Sequence, residues 1–230
     1  MPDLVALGQT LSVWFLPVVI AITLHEAAHA WAANKLGDNT AKSLGRLSFN
    51  PIRHVDPFGT FILPGLLLFV GAPFIFGWAK PVPVAFHRLR NPKRDMIWVA
   101  LAGPAINIAM ALAAAVLMHG FVGSESNLGL WIWQNLDNAL LINVVLACFN
   151  MLPLLPLDGG RVLTGLLPTP LAIQYARTER YGLFILLGII FVLPLLAREL
   201  GFAINPLAAV LLPMVQGVHT LVLVLTGWGG

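Results

Sequence analysis

The chain has 230 residues, of which 58% are apolar and only 10% are charged, and its mean hydropathy is +0.85. A soluble domain usually has about 25% charged residues, so this composition excludes a water-soluble globular protein. Several apolar runs approach the roughly 20 residues that cross the hydrocarbon core of a bilayer. The net charge of +3 comes from short basic clusters between these runs, which argues against a nucleic-acid partner. The sequence therefore predicts an all-α polytopic membrane protein in a lipid bilayer.

The apolar segments follow a chain order that predicts five to six transmembrane helices. The first, residues 4–34, is expected to stop before Gly37, and the others cover residues 95–119, 137–157, 181–198 and 203–227. Residues 57–79 are also apolar but contain seven glycines and prolines. We therefore predict a re-entrant or β-hairpin segment around residues 57–84, because irregular backbone is tolerated at membrane depth when protein buries it. Residues 1–230 are expected to form one integral membrane domain.

The N-terminus and the single cysteine suggest no covalent processing. The chain begins Met-Pro-Asp without a basic stretch before its first apolar run, so we expect no cleavable signal peptide. Cys148 lies in an apolar run, where a buried structural cysteine is expected.

The basic residues predict the orientation. Twelve of the thirteen lysines and arginines fall in residues 35–56, 80–94 and 161–180. Since basic loops stay on the cytoplasmic side, all three should face the cytoplasm of a cell with this protein in its inner or plasma membrane. The N-terminus is then outside, residues 57–79 enter and leave on one side, and residues 203–227 return to a cytoplasmic C-terminus.

The pentapeptide His25-Glu26-Ala27-Ala28-His29 near the end of the first helix carries the strongest chemical signal. Histidines four residues apart share a helical face and can bind one metal ion, and Glu26 beside them can act on a metal-bound water. Ionisable side chains are costly inside a membrane, so a function is expected. The alternative is that the histidines pair with other helices while Glu26 reaches the surface.

A catalytic zinc ion usually has three protein ligands, so a third ligand is expected at the same depth. Asp158 lies at the cytoplasmic end of residues 137–157 and meets this condition. Glu125 and Asp137 fall at the opposite face, and Asp95 has the position of a helix cap. The alternative for Asp158 is a turn aspartate before two glycines.

These motifs resemble those of the site-2 protease family of intramembrane zinc metalloproteases (peptidase family M50), in a compact branch without PDZ or CBS domains. The resemblance covers about residues 15–167 and is weak after residue 180. It rests on His25-Glu26-x-x-His29, on Asn150-x-x-Pro153-x-x-Pro156-x-Asp158-Gly159, and on further segments: Gly37-Asp38-x-Thr40-Ala41-Lys42, Gly45-Arg46-Leu47, Asn50-Pro51-x-x-His54-x-Asp56-Pro57-x-Gly59-Thr60, Gly77–Val84 and Gly103-Pro104-x-x-Asn107.

The resemblance implies a metalloendopeptidase that cuts transmembrane segments of other membrane proteins, such as single-span regulators or signal-peptide remnants. It implies one Zn²⁺ per chain held by His25, His29 and Asp158, with Glu26 as catalytic base. Asn150 would orient the substrate or stabilise the oxyanion. Residues 78–84, with Pro81, Val82 and Pro83, resemble a strand-forming segment that pairs with an extended substrate.

Two further residues are weaker candidates. Asn107 is expected to join helices through its buried amide, or to contribute to substrate binding. His54 is expected to form hydrogen bonds within its loop, or else to gate the site or bind the metal in a resting state. A non-proteolytic zinc-binding adaptor of the same fold is the alternative function. A secondary transporter is disfavoured because the chain has no internal repeat.

Overall fold

The computed structural model describes residues 4–69, 77–201 and 205–228, which are mostly helical and contain no β-strand. These residues form ten α-helices: α1 (Leu4–Lys35), α2 (Thr40–Ser43), α3 (Leu63–Phe69), α4 (Pro92–Met118), α5 (Asn127–Asn150), α6 (Asp158–Leu166), α7 (Thr169–Ala176), α8 (Gly182–Leu187), α9 (Leu193–Glu199) and α10 (Pro206–Leu225). Five of the described helical stretches are long and apolar enough to cross a membrane: residues 8–35, 92–121, 127–150, 169–199 and 206–225. The prediction of an all-α polytopic membrane protein is confirmed.

The sequence predicted the end of α1 correctly but not the limits of α5. Past Lys35, Gly37 adopts φ +115°, as the glycine stop signal predicts. By contrast, α5 begins ten residues before the predicted start and ends seven before the predicted end. The Ser126 side chain accepts a hydrogen bond from the Gly129 N–H and caps the early start. After Asn150, Pro153 and Pro156 prevent the helix from continuing.

Helix α4 is the centre of the bundle and packs against α1, α5 and α6. Small buried residues of α4, including Ala111 and Ala115, lie in one cluster with Val144 of α5 and Val222 of α10. Nearer its start, Val99 of α4 clusters with the end of α1. Small side chains let membrane helices approach closely, so α4 holds α1 and α5 at short range. Helix α1 carries His25, Glu26 and His29, and α5 ends at Asn150, shortly before Asp158.

The basic loops lie together at one end of the bundle, which we call the basic end. There, the Arg90 N–H donates to the Leu36 carbonyl at 3.0 Å, joining the first two basic loops. The Arg161 guanidinium lies 4.7 Å from the centre of the Phe86 ring and links the third. At the opposite end, the Trp131 indole donates to the Ser12 hydroxyl at 3.2 Å. The structure thus groups the loops as their charge predicts.

The C-terminal end of α10 lies opposite the basic end. The His119 ring is 4.3 Å from that of Trp228, whose indole N–H donates to the Ala115 carbonyl at 2.8 Å. The prediction that residues 203–227 return to the side of the basic loops is therefore wrong. The reason is that Leu186 and Leu207 pack into a common cluster near residues 151–157, so the starts of α8 and α10 both lie at the basic end.

The described residues at the two ends of the segment 57–79 lie side by side, as the re-entrant prediction requires. The Trp78 N–H donates to the Gly59 carbonyl at 3.1 Å, and the Lys80 N–H donates to the His54 carbonyl at 2.8 Å. Residues 57–69 are helical, residues 70–76 lie outside the described part, and residues 77–85 contain no strand. The β-hairpin alternative is thus absent from the described residues. Prolines at 81 and 83 lack the N–H groups that a β-ladder needs.

Candidate metal centre

Helix α1 presents His25 and His29 on one face, as their spacing predicts. Their Nε2 atoms are 3.0 Å apart, and the two rings meet edge to face with centroids 4.6 Å apart. Both residues are buried. Two imidazole nitrogens therefore face one another inside the bundle.

Asp158 joins this pair from the first turn of α6. Its Oδ2 atom lies 3.3 Å from His25 Nε2 and 3.3 Å from His29 Nε2. This oxygen is buried and accepts no hydrogen bond from the described residues. The structure brings together the three residues that the sequence predicted as metal ligands, although more than 120 residues separate the histidines from the aspartate.

The hydrogen bonds of the two Nδ1 atoms determine whether the Nε2 atoms can act as metal ligands. The Nδ1 atom of His29 lies 2.7 Å from the Val99 carbonyl, and that of His25 lies 2.6 Å from Asn107 Oδ1. Both oxygens are acceptors, so each Nδ1 carries a proton, and the neutral form of each ring turns a lone pair of Nε2 inward. Two lone pairs and a carboxylate oxygen then share one buried space, which a bound cation would stabilise. The donor set of two imidazoles and one carboxylate fits zinc.

Glycines make the convergence possible. A Cβ atom on Gly103 of α4 would lie 2.4 Å from His29 Nε2, so only glycine leaves room for the histidine rings. A Cβ on Gly159 would lie 2.2 Å from the Met151 carbonyl oxygen, and one on Gly160 would lie 2.6 Å from the Leu154 carbonyl carbon. The start of α6 therefore sits tightly against residues 151–157, which places Asp158 beside α1.

A cavity of about 550 Å³ adjoins the three residues. Glu26, Pro81, Val82 and Asn150 line it, together with His25, His29 and Asp158. The Val82 N–H donates to Glu26 Oε2 at 2.7 Å, which holds the Glu26 carboxylate at the cavity wall. The Asn150 amide donates to the Leu146 carbonyl at 3.0 Å, so its side chain is oriented along the end of α5.

The structure places the other candidates outside this cavity. His54 is buried, with Nε2 2.9 Å from the Ser48 carbonyl oxygen, consistent with hydrogen bonding within its loop. Pro83 and His54 are not among the residues that line the cavity. Asn107 lies behind His25 rather than on the cavity wall.

The segment that carries Val82 is held by side chains from the first basic loop. The Arg46 guanidinium donates to the Lys80 carbonyl at 2.7 Å, and the Ala85 N–H donates to Asp38 Oδ2 at 2.7 Å. Burial would raise the pKa of the Asp38 carboxyl, but hydrogen bonds from Thr40 and Ala85 outweigh it and keep the pKa below its ordinary value. Asp38 is thus an ionised anchor for this segment.

Sequence reasoning missed Asn143 of α5, whose buried side chain bonds to Asn107. The available signal was a lone amide in an apolar helix, which often bonds to a neighbouring helix. It also missed the spatial role of Gly103, which the sequence marks only as part of a motif.

Comparison with known proteins identifies the family. YwhC of Bacillus subtilis (strain 168), named a zinc metalloprotease, is 38% identical over 190 residues, which cover 77% of this chain and 79% of that protein. The chain belongs to peptidase family M50. The profile of this family matches residues 123–193, which include Asp158 and extend beyond the region of resemblance predicted from motifs.

More distant members of family M50 are also similar. Rip2 of Mycolicibacterium smegmatis, also named a zinc metalloprotease, is 26% identical over 180 residues, covering 78% of this chain and 66% of Rip2. The zinc metalloprotease MJ0392 of Methanocaldococcus jannaschii is 22% identical over 156 residues, covering 68% of this chain and 34% of that protein. No solved structure matches the chain.

Proposed function

We propose that this M50 protein is an intramembrane zinc metalloprotease that hydrolyses peptide bonds within or near transmembrane segments of other proteins. The observation that supports this proposal best is the meeting of His25 Nε2, His29 Nε2 and Asp158 Oδ2 within 3.3 Å of one another. Such a donor set leaves one position open for water or substrate on a tetrahedral zinc ion. The relatives that are named zinc metalloproteases agree with this chemistry.

The depth of the centre supports cleavage inside the bilayer. His25 and His29 precede the end of α1 at Lys35 by ten and six residues. At 1.5 Å per residue, they lie about 15 and 9 Å along the helix from its basic end. The hydrocarbon core is about 30 Å thick, so a substrate bond would reach the centre within the membrane.

Glu26 is the proposed general base. A bound zinc ion would supply a polarised carbonyl and a water whose pKa is near 7. Glu26 would accept the proton of that water and pass it to the leaving nitrogen of the substrate. The Val82 N–H donates to Glu26 Oε2 at 2.7 Å, which holds the carboxylate at the cavity wall beside the zinc ligands.

Asn150 is the proposed substrate-orienting residue. It lies on the cavity wall at the end of α5, and one N–H of its amide bonds to the Leu146 carbonyl. An amide has two N–H donors, so the second is available for a substrate carbonyl or a developing oxyanion. Val82 and Pro81 line the same cavity and would contact the substrate backbone.

The basic end is proposed to face the cytoplasm of a cell whose inner or plasma membrane holds the protein. The grouped basic loops support this orientation, since such loops stay on the cytoplasmic side. The substrates would be single-span membrane proteins or signal-peptide remnants, because the centre lies at a depth of the membrane that a transmembrane helix crosses. Their transmembrane helices must unwind locally before the cavity can bind them, since helical carbonyls are hydrogen-bonded.

The proposal is tested by Glu26→Gln in purified protein reconstituted with a model transmembrane substrate. We expect cleavage to fall at least about 100-fold, because a general base contributes 10²–10⁴-fold, while the zinc content is retained. The matched control is Glu125→Gln, which makes the same change at an exposed position outside the cavity and should cleave normally. Undiminished cleavage by Glu26→Gln would refute the base. A wild type that binds zinc without cleaving would indicate the adaptor instead.

A further inference from the structure

Two buried asparagines connect the metal centre to a helix that contributes no ligand. Asn107 on α4 and Asn143 on α5 are both fully inaccessible to solvent. Asn107 Nδ2 donates to Asn143 Oδ1 at 2.7 Å, and Asn107 Oδ1 lies 2.6 Å from His25 Nδ1. We call this sequence of hydrogen bonds the amide relay; it runs from α5 through α4 to α1.

The relay has one direction, and backbone carbonyls determine it. Asn143 Nδ2 donates to the Ala139 carbonyl at 2.8 Å, one turn back along α5. A carbonyl only accepts, so Asn143 must turn its oxygen toward Asn107. The Asn107 nitrogen then donates to that oxygen, and its own oxygen is left for His25.

The orientation of Asn107 in turn determines which ring nitrogen of His25 carries the proton. Because Asn107 Oδ1 only accepts, His25 must donate from Nδ1, and in the neutral ring the Nε2 lone pair is then directed toward His29 and Asp158. If Asn107 were reversed, its Oδ1 would face Asn143 Oδ1, and two acceptors would meet in a buried site without a hydrogen between them, which burial disfavours. The orientation of Asn143, assisted by the Ala21 carbonyl 3.4 Å from Asn107 Nδ2, thus selects the form of His25 that can bind a metal ion.

We propose that Asn143 is a positioning residue for metal binding, which acts on His25 through Asn107 without touching the ion or the substrate. This inference rests on the proposed function of the centre, since it assumes that His25 is a metal ligand. Groups that orient a ligating histidine typically change metal affinity 10–100-fold when they are removed. We expect an effect of this size from Asn143.

The chain offers a matched control on the same helix. Asn138 also donates from α5 to α1, with its Nδ2 3.1 Å from the Val13 carbonyl. It therefore also links α5 to α1 through an asparagine, but it makes none of the hydrogen bonds of the relay. Asn143→Ala and Asn138→Ala remove the same atoms, and each breaks a hydrogen bond to a neighbouring helix.

The experiment measures Zn²⁺ affinity by competition with a chromophoric chelator, using full-length protein in detergent. Asn143→Ala is expected to bind Zn²⁺ 10–100-fold more weakly than wild type, whereas Asn138→Ala should stay within about threefold. The Co²⁺-substituted proteins provide a second readout, because the visible spectrum reports ligand geometry. The spectrum should change in Asn143→Ala and not in Asn138→Ala.

Two further variants address folding and water. Asn143→Leu fills the space that a water molecule could enter in Asn143→Ala, and it should lose affinity as well. Asn143→Asp is the conservative variant: with or without a proton, its carboxyl accepts from Asn107, so the relay keeps its direction. We expect Asn143→Asp to bind Zn²⁺ more tightly than Asn143→Ala. Thermal unfolding of the metal-free variants shows which of them are folded.

The outcomes separate this inference from the proposed function. If wild type binds no metal, the proposed function fails and the inference fails with it. If wild type binds Zn²⁺ and folded Asn143→Ala and Asn143→Leu bind it equally well with unchanged Co²⁺ spectra, only the role of Asn143 is overturned. Equal losses in Asn143→Ala and Asn138→Ala would also overturn it, because they would indicate a general effect of helix packing.

Discussion

The two halves of the metal centre are built in different ways. His25 and His29 share a face of α1 because a helix has 3.6 residues per turn, so their mutual position is local. Asp158 reaches them only because Gly159 lies against the Met151 carbonyl and Gly160 lies against Leu154. The histidine half is therefore set by helical geometry, and the aspartate half by contacts between a proline-containing connection and a short helix.

The halves also differ in what supports their side chains. Each histidine is held from behind, by Asn107 or by the Val99 carbonyl. Asp158 Oδ2 accepts no hydrogen bond from the described residues, so its position depends on the backbone of α6. We expect the aspartate half to be the more sensitive to backbone changes, and the histidine half to changes in side-chain packing.

Removal of a ligand should have the largest effect and affect both halves equally. Asp158→Ala and His29→Ala each leave two of three donors, so zinc binding should weaken by at least about 100-fold, beyond the usual effect of residues that only orient ligands. Cleavage should be lost with the metal. Zinc content of the purified proteins measures this, with Asp137→Ala, outside the cavity, as control. Stoichiometric zinc in Asp158→Ala would mean that the aspartate is not a ligand.

Gly159→Ala should break the aspartate half without removing a ligand. The new Cβ would lie 2.2 Å from the Met151 carbonyl oxygen and 2.5 Å from that of Leu152, so the backbone must shift. We expect the free energy of unfolding to fall by about 3 kcal/mol, the upper part of the range for overpacking, and zinc affinity to fall with it.

Denaturation of metal-free protein and zinc competition measure the two effects of Gly159→Ala. Gly188→Ala is the control, since a Cβ at that helical position has open space. It should leave stability unchanged or raise it by up to about 1 kcal/mol. A Gly159→Ala protein as stable as Gly188→Ala would contradict the tight placement of α6.

Gly103→Ala, unlike Gly159→Ala, should weaken zinc binding at the histidine half with little effect on the stability of the metal-free protein. Its Cβ would lie 2.4 Å from His29 Nε2 and 2.5 Å from His25 Cε1, which are side-chain atoms and can shift more easily than the backbone atoms that face Gly159. Stability of the metal-free protein should therefore change by less than about 1 kcal/mol, while zinc affinity falls about tenfold, equivalent to about 1.4 kcal/mol.

Gly217→Ala, in the middle of α10 with no atom near the new Cβ, is the matched control for Gly103→Ala. It should bind zinc like wild type. If Gly103→Ala destabilises the metal-free protein as much as Gly159→Ala does, the distinction between a side-chain half and a backbone half is wrong.

The same contrast explains what the sequence could predict. The shared helical face of His25 and His29 could be predicted from their spacing, and the membrane depth of Asp158 from the charge of the loops. The early start of α5 did not follow, because polar residues such as Asn135 and Asp137 hide the apolar signal. The Asn143 contact required knowing which faces of α4 and α5 meet, and a single sequence does not contain that information.

The path of the C-terminal region was the largest error of prediction. Residues 181–198 have the length and hydropathy of a membrane span, but residues 182–190 pack on the connection 151–157 at the basic end. Hydropathy measures how apolar a segment is and not which surface it covers. Residues such as Leu186 can be buried by protein as well as by lipid, and the two cases have the same sequence signal.

Asp38 provides the test with the smallest expected effect. This residue links the end of α1 to the segment that carries Val82. It follows α1 and accepts hydrogen bonds from Thr40 and from the Ala85 N–H, 2.7 Å away. Because its pKa in the folded protein lies below the ordinary value of 3.8, the folded state binds fewer protons than the unfolded state near that pH. The stabilisation is complete above pH 3.8 and is lost as the pH falls through the folded pKa.

This pH dependence can be isolated with Asp38→Asn, which cannot titrate. Melting temperatures of metal-free protein in detergent should be lower for Asp38→Asn than for wild type at pH 7, because the amide nitrogen cannot accept the Ala85 N–H. The two should converge as the pH falls below 3.8, since only wild type loses the ionised anchor. A constant difference from pH 7 to the acid limit would show that the Asp38 charge contributes nothing. Asp38 would then hold this segment through hydrogen bonds that do not depend on its ionisation.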